Sequence, residues 1–223
     1  MPPMSPMYLG FIIEIFYSLI IIISSLLIYF STIEIYKLSS HKGLKYFRNA
    51  FLFFALAYFF RFVIQFIIII FNLQRIFHFH PYAIGLITLF VFMYASTMAM
   101  FYLLYSVMWK KLPKAYENIY ALHLIALVIS LISISTQHVL ILLGLQAFVL
   151  LFISIESYES YEKSKNRKIS SLYVIYMMLF IFWILNIVDI LVPDFFRPIQ
   201  LLIYTISSGL FLLVLYKVLK IGS

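Results

Sequence analysis

The sequence predicts an all-α integral membrane protein folded as a seven-transmembrane-helix bundle, and three observations predict it. First, 65% of the 223 residues are hydrophobic and only 11% are charged, against about 45–50% and about 25% in a soluble domain. A globule this apolar would need a core larger than its length can enclose. Second, the apolar residues fall in seven runs, each near the roughly 20 residues that cross a bilayer core. Third, the basic residues gather on alternate loops, the pattern that orients a polytopic chain.

The runs lie at about 7–30, 47–72, 82–109, 116–134, 138–157, 171–192 and 196–218. With short connections they occupy the whole of 1–223, which reads as one seven-helix membrane domain. The N-terminal MPPMSPM is too short and uncharged for a signal-peptide n-region, and the run after it is longer than a cleavable h-region. It is therefore expected to remain as the first helix. Only Ser135, Thr136 and Gln137 separate the fourth and fifth runs, which implies antiparallel neighbours. The segment from Ser157 to Ser171, with Glu156 just ahead of it, mixes Glu156, Glu159 and Glu162 with basic residues. It reads as a helix extension laced by i,i+3 and i,i+4 charge pairs. It is the largest surface for partner docking.

Orientation follows from Lys and Arg. Lys37, Lys42, Lys45 and Arg48 flank the first loop. Lys110, Lys111 and Lys114 belong to the third, and Lys163, Lys165, Arg167 and Lys168 to the fifth. Lys217 and Lys220 end the seventh span. The opposite side holds only Arg75 and Arg197. The N-terminus is thus expected outside and the C-terminus in the cytoplasm of a cell-membrane protein. The same asymmetry explains the net charge of +8 without nucleic-acid binding, and it suits contact with anionic lipid headgroups. The chain has no cysteine, which removes disulfides, thiolate nucleophiles and cysteine zinc sites.

All seven prolines lie at span ends or in loops, and no GxxxG motif appears. This favours continuous helices over the broken ones that build many transporter sites. Phe101 to Met108, following Tyr94, faintly echoes Phe211 to Leu219, following Tyr204. Glu34, Tyr36 and Lys37 likewise echo Glu159, Tyr161 and Lys163. A parallel 3+1+3 pseudo-repeat is therefore permitted, although chance likeness between Phe/Leu/Tyr-rich helices explains the echo as well. The topology is similar to that of sugar-transporting seven-helix permeases, microbial rhodopsins and G-protein-coupled receptors. The residues that mark each are missing. No Pro-Gln pair marks the first or fifth span, no lysine stands in the middle of the seventh, and the third ends Tyr105-Ser-Val without an acidic-Arg-aromatic signature. The likeness is one of architecture, which does not give function.

Arg61 is the most informative residue. It lies 13 positions after Arg48 and 11 before Asn72, about 19 Å and 16 Å from the two ends of its helix. A charge near the midplane costs at least about 2.5–3.5 kcal/mol on insertion scales, so it should face the bundle interior and find a partner. Tyr58 and Gln65 share its face. Glu14 in the first span and Asp189 in the sixth, with Asn186 one turn before it, are the candidate partners. Glu14 has the better depth match; Asp189 is favoured if spans two and six face each other. Two readings follow. One is a central site in which Arg61 holds an anionic group, so that Arg61→Leu leaves a folded, inactive protein. The other is an internal ion pair that fixes helix register and binds nothing.

The remaining polar residues read more plainly. His78, His80 and His138, with Asp189 or Asp194, offer a weak zinc pattern; solvated interfacial histidines explain them better, and no metal or cofactor is expected. His123 reads as a hydrogen-bonded bundle residue. Trp109, Tyr105, Tyr82 and Trp183 are partly accounted for by interfacial aromatic belts. Tyr94, Ser96, Thr97, Tyr204, Ser207 and Ser208 suit either a polar cavity or interhelical hydrogen bonds. No HxxxH or HExxH pair lies in a span, so an enzyme is the least supported class. The leading reading is a receptor- or sensor-like bundle, with a small-molecule or lipidic ligand at Arg61 and a cytoplasmic or membrane protein partner. Since the chain stops soon after its last span, output would rest on that partner. A small-solute transporter and a non-catalytic subunit of a membrane complex are the alternatives.

Overall fold

The computed structural model describes residues 6–73, 81–111, 119–136, 138–164, 167–192 and 197–222. They form seven helices: α1 Pro6–Ser39, α2 Lys42–Leu73, α3 Pro81–Met108, α4 Ile119–Thr136, α5 Val139–Ser164, α6 Arg167–Leu191 and α7 Arg197–Gly222. All seven are long and apolar enough to cross a membrane, and the chain is a multi-pass membrane protein. The Ile- and Phe-rich runs are poor helix formers in water. In hydrocarbon every backbone N–H and C=O must be satisfied within the segment, and the helix does so. Pro6 and Pro81 open α1 and α3, where a missing N–H costs nothing.

The helices outrun the apolar spans at the basic end. α1 continues to Ser39 and α5 to Ser164, as the expected charged extension does. Lys163 pairs with Glu159 one turn back at 3.7 Å, and Lys111 at the end of α3 pairs with Glu156 on α5.

Packing arranges six helices in a closed ring. α1 packs on α2, α2 on α3, α3 on α5, α5 on α6, α6 on α7, and α7 back on α1. α4 lies outside the ring against α3 and α5. Only Ala126, Ser130 and Ser133 of α4 are buried, while Tyr120, Leu124, Leu131 and Ile132 face outward, where a spanning chain meets lipid. Gln146 on α5 donates to Ser96 Oγ and Thr97 Oγ1 on α3, both at 3.0 Å, and ties those two helices. Ser106 on α3 meets the Tyr176 hydroxyl of α6 at 2.8 Å.

The ring interior is aromatic. Phe51, Phe54, Phe182, Trp183 and Phe211 are all buried, with Phe182 and Phe211 at 5.0 Å between ring centroids and Phe54 and Trp183 at 6.2 Å. This corrects the belt reading for two residues. Trp183 and Tyr105 are packed inside, because the faces of α6 and α3 that carry them turn toward the ring axis. Trp109 instead caps the basic end, edge-on to His41 at 4.8 Å. The side chain of Tyr82 lies outside the described residues.

The α1–α2 turn is two residues long. Ser40 adopts φ 51°, a left-handed conformation that commonly ends helices, and its N–H donates to the Tyr36 carbonyl at 2.8 Å. The His41 carbonyl then accepts from Leu44 N–H at 3.0 Å and starts α2. Gly43 follows, close against the end of α3. A Cβ there would stand 2.8 Å from both the Ser106 carbonyl oxygen and Trp109 Cδ1.

Two predictions follow from this turn. Gly43→Ala should cost about 1–3 kcal/mol through overpacking and so lower the thermal midpoint in detergent. Gly209→Ala, whose Cβ meets nothing within 4 Å, should leave the midpoint unchanged or raise it. Burial and the Lys110 charge together hold the His41 imidazole below its ordinary pKa of 6.5. The unfolded chain therefore takes up the proton first, and His41's contribution to stability is lost as pH falls through about 6.5. A pH series of thermal midpoints from 8 to 5 should show this loss, and His41→Gln should abolish that part of it.

Candidate functional site

Three helices each place a charged residue one turn from a polar one. α1 carries Glu14 and Tyr17, α2 carries Tyr58 and Arg61, and α6 carries Asn186 and Asp189. An i,i+3 spacing puts both members on one face. α1 runs in the opposite sense to α2 and α6, so the six residues assemble as two layers about 4.5 Å apart. Glu14, Arg61 and Asp189 form a charged layer. Tyr17, Tyr58 and Asn186 form a hydroxyl and amide layer beneath it, on the side of the basic end.

In the charged layer Arg61 takes both acids. Its Nη2 lies 3.2 Å from Asp189 Oδ2 and 3.3 Å from Glu14 Oε1, and Nη1 donates to Asn186 Oδ1 at 3.1 Å. The Asn186 amide is held in this sense because its Nδ2 donates to the Phe182 carbonyl at 2.8 Å. Its Oδ1 also accepts from Tyr17 and Tyr58, each at 2.9 Å. That is three donors for two lone pairs. The two tyrosine hydroxyls are 3.1 Å apart, so one can donate to the other instead. The guanidinium sits 5.5 Å over the Tyr17 ring and 5.8 Å over the Tyr58 ring, within cation–π range. Tyr204 of α7 stacks on Tyr17 at 4.9 Å and brings its hydroxyl to the Asp189 carboxylate.

Charge and exposure are unequal across the site. Arg61 faces two carboxylates. Asp189 is 6% exposed, whereas Arg61 and Glu14 retain 15% and 17%. Asp189 Oδ1 is buried and accepts no hydrogen bond. Beneath both layers the aromatic side chains Phe54, Phe182, Trp183 and Phe211 close the ring. Tyr58 meets Phe182 at 6.0 Å, and Phe182 meets Phe211 at 5.0 Å.

The structure thus brings Arg61, Glu14, Asp189, Asn186 and Tyr58 together, and Arg61 does not choose between the acids. The Gln65 side chain lies outside the described residues, as do His78, His80 and Asp194. The cluster is also nearer one end of the bundle than the depth of Arg61 alone suggests. Asp189 stands two residues before the end of α6, and Glu14 eight residues into α1. Tyr17 is absent from the sequence reading, though its i,i+3 spacing from Glu14 repeats that of Tyr58 and Arg61. Elsewhere, the Tyr94 hydroxyl meets His123 Nδ1 at 2.6 Å, and His138 is exposed. Among the described residues no group of three or more His, Asp or Glu could hold a metal ion.

No family model matches the sequence, and no solved structure matches it. A protein of Archaeoglobus fulgidus, described as uncharacterized, is 32% identical over 147 residues. The match covers 64% of this chain and 63% of that relative, so it spans less than two thirds of the relative's length.

The geometry revises what removal of Arg61 should do. Arg61→Leu leaves Glu14 and Asp189 without the guanidinium that both face. It should cost about 3–5 kcal/mol, as for other buried pairs broken on one side. The triple variant Glu14→Gln, Arg61→Leu, Asp189→Asn removes every charge in the layer and should recover most of that loss. Equilibrium unfolding of the three proteins in one mild detergent checks this, and equal stability of the single and triple variants would refute it.

Proposed function

We propose that the chain is a receptor- or sensor-like membrane protein that binds a small or lipidic ligand at the charged layer around Arg61. The single observation that carries this reading is the one-sided build of the site. Arg61 and Glu14 keep partial exposure at one end of the bundle, while Phe54, Phe182, Trp183 and Phe211 close the other side of the polar layers. A ligand can then enter from one face, and the layer beneath it can transmit a change in helix packing without opening a path. The whole chain acts as one seven-helix domain in this reading. The basic residues orient it in the cell membrane with the N-terminus outside and the C-terminus in the cytoplasm, so the site faces outward.

The partner surface is cytoplasmic. The extension of α5 carries Glu156, Glu159, Glu162 and Lys163 beyond the apolar core, a mixed-charge face of the kind suited to a protein partner.

A second reading, a small-solute transporter of 3+1+3 type, is favoured by the helix order. α4 stands outside a ring in which α1–α3 and α5–α7 follow one another. Tyr58 and Arg61 on α2 meet Asn186 and Asp189 on α6 with the same i,i+3 spacing. In that reading the aromatic plug is a gate.

Because the chain lacks cysteine, single introduced thiols separate the readings. Tyr204→Cys at the charged layer should react with a membrane-impermeant thiol reagent from outside. Val214→Cys, about 15 Å deeper on the same helix, should react from neither side in a receptor and from the cytoplasmic side in a transporter. Thr136→Cys should label from outside, and Glu162→Cys only after permeabilisation. No reaction at Tyr204→Cys from either side would mean a closed structural ion pair and would end the ligand-site reading.

A further inference from the structure

Another cation stands toward the basic end of the bundle, where α1 and α2 run side by side. Arg48 is six residues after Lys42, the first residue of α2, and so about 9 Å along the helix. Its guanidinium carbon lies 5.4 Å from the centre of the Tyr29 ring and 5.3 Å from that of Tyr36. The two tyrosines are seven residues apart and share one face of α1. Their rings attract the cation. A guanidinium also carries five N–H donors, and a ring face is a poor acceptor for them. Arg48 Nε is buried and donates to nothing. Among the described residues no carboxylate pairs with Arg48.

The acids at this end are turned elsewhere. Glu34 is exposed on α1 and stands two residues from Tyr36, about 200° around the helix. Glu156 pairs with Lys111 and Glu159 with Lys163, on α5, which packs on α3, α4 and α6. Lysines instead flank the groove. Lys45 is one turn before Arg48 on the same face of α2, and Lys37 follows Tyr36; both are exposed. Deeper along α2 the strip that carries Lys45 and Arg48 turns apolar. Leu52, Leu56 and Phe59 continue it at helical spacing, and all three face outward. A basic head above an apolar strip fits an amphiphile lying along α2, with its anionic group at Arg48 and its hydrocarbon on Leu52, Leu56 and Phe59. The guanidinium fork matches two phosphate oxygens at once, and basic pockets between spanning helices suit anionic headgroups. A soluble anion would use the guanidinium alone, whereas a lipid uses both parts of the strip.

We propose that Arg48 holds the phosphate of one anionic phospholipid in the leaflet at the basic end of the bundle. Lys45 and Lys37 add positive charge beside it, and Tyr29 and Tyr36 fix the guanidinium. The phosphate oxygens supply the acceptors that the chain itself does not bring to Arg48. The site is separate from the charged layer, since Arg48 and Arg61 are 13 positions apart on α2, about 19 Å along its axis. It stands whether or not that layer binds a ligand.

The test uses the full chain in a neutral detergent, titrated with equal amounts of phosphatidylglycerol and phosphatidylcholine, with the retained lipid counted by native mass spectrometry. One phosphatidylglycerol should be retained in preference to phosphatidylcholine. Arg48→Gln should lower that preference about tenfold or more. Arg48→Lys keeps the charge without the fork and should fall between the two. Lys45→Gln should lower the preference about fivefold. Because Lys45 is exposed, that variant serves if the Arg48 variants do not fold. Lys163→Gln removes a basic residue at the same end but away from the groove and should change nothing. A purely structural Arg48 would move the thermal midpoint and leave the ratio of the two lipids as it was. Equal retention of both lipids, a preference kept by Arg48→Gln and Lys45→Gln, or an equal loss in Lys163→Gln overturns the proposal. Millimolar inorganic phosphate should leave the lipid in place; full displacement would make this a site for a soluble anion and overturn the lipid assignment.

Discussion

The interior of this bundle depends on how one guanidinium is satisfied. Arg61 cannot be hydrated as it would be at a surface, so the chain surrounds it with Glu14, Asp189, Asn186 and the rings of Tyr17 and Tyr58. These contacts come from α1, α2 and α6, while Tyr204 adds α7 through its stack on Tyr17. Four of the six ring helices are thereby set in rotation and depth by one side chain. The apolar faces alone would fix neither, since lipid offers Ile, Leu and Phe much the same environment as a neighbouring helix does.

Below that layer the packing changes character. Phe51, Phe54, Phe182, Trp183 and Phe211 fill the axis with large, rigid rings whose edge-to-face contacts prefer particular separations. Toward the basic end Ser106 meets Tyr176 and Arg48 lies over the rings of Tyr29 and Tyr36. The interior is thus layered along its axis: charged, then hydroxyl and amide, then aromatic.

Much of the fold is legible in the sequence because bilayer thickness and the backbone's need for internal hydrogen bonds leave few alternatives to seven helices. The helix ends are less legible. α1 and α5 run on past their apolar stretches because charged residues such as Lys37, Glu159 and Lys163 form helix in water as readily as apolar ones do in lipid. The site was half legible. Arg61, Glu14 and Asp189 are conspicuous as charges in apolar runs, and Tyr58 and Asn186 follow from helical spacing. Whether Arg61 took one acid or two depended on which helices face each other, and hydropathy carries no such information. Trp183 misled for the same reason. An indole near a span end suits the interface until the rotation of α6 is known.

The place of α4 outside the ring carries a consequence for how the chain is joined. α3 and α5 are ring neighbours, and Lys111 and Glu156 bring their C-terminal ends together, so they run in the same direction. α7 and α1 run alike too, since Tyr17 and Tyr204 stack at similar distances from their helix starts. Parallel neighbours cannot be joined by a short loop. At one seam the chain needs a full extra crossing, which α4 supplies; at the other it has no covalent link. The ring is therefore two antiparallel three-helix sheaves abutting along two seams, one held by Gln146 on Ser96 and Thr97, the other by the tyrosine stack. Sliding one sheaf against the other would be resisted by those side chains, by Lys111 on Glu156, by Ser106 on Tyr176, by the Arg61 cluster and by aromatic contacts such as Phe54 on Trp183.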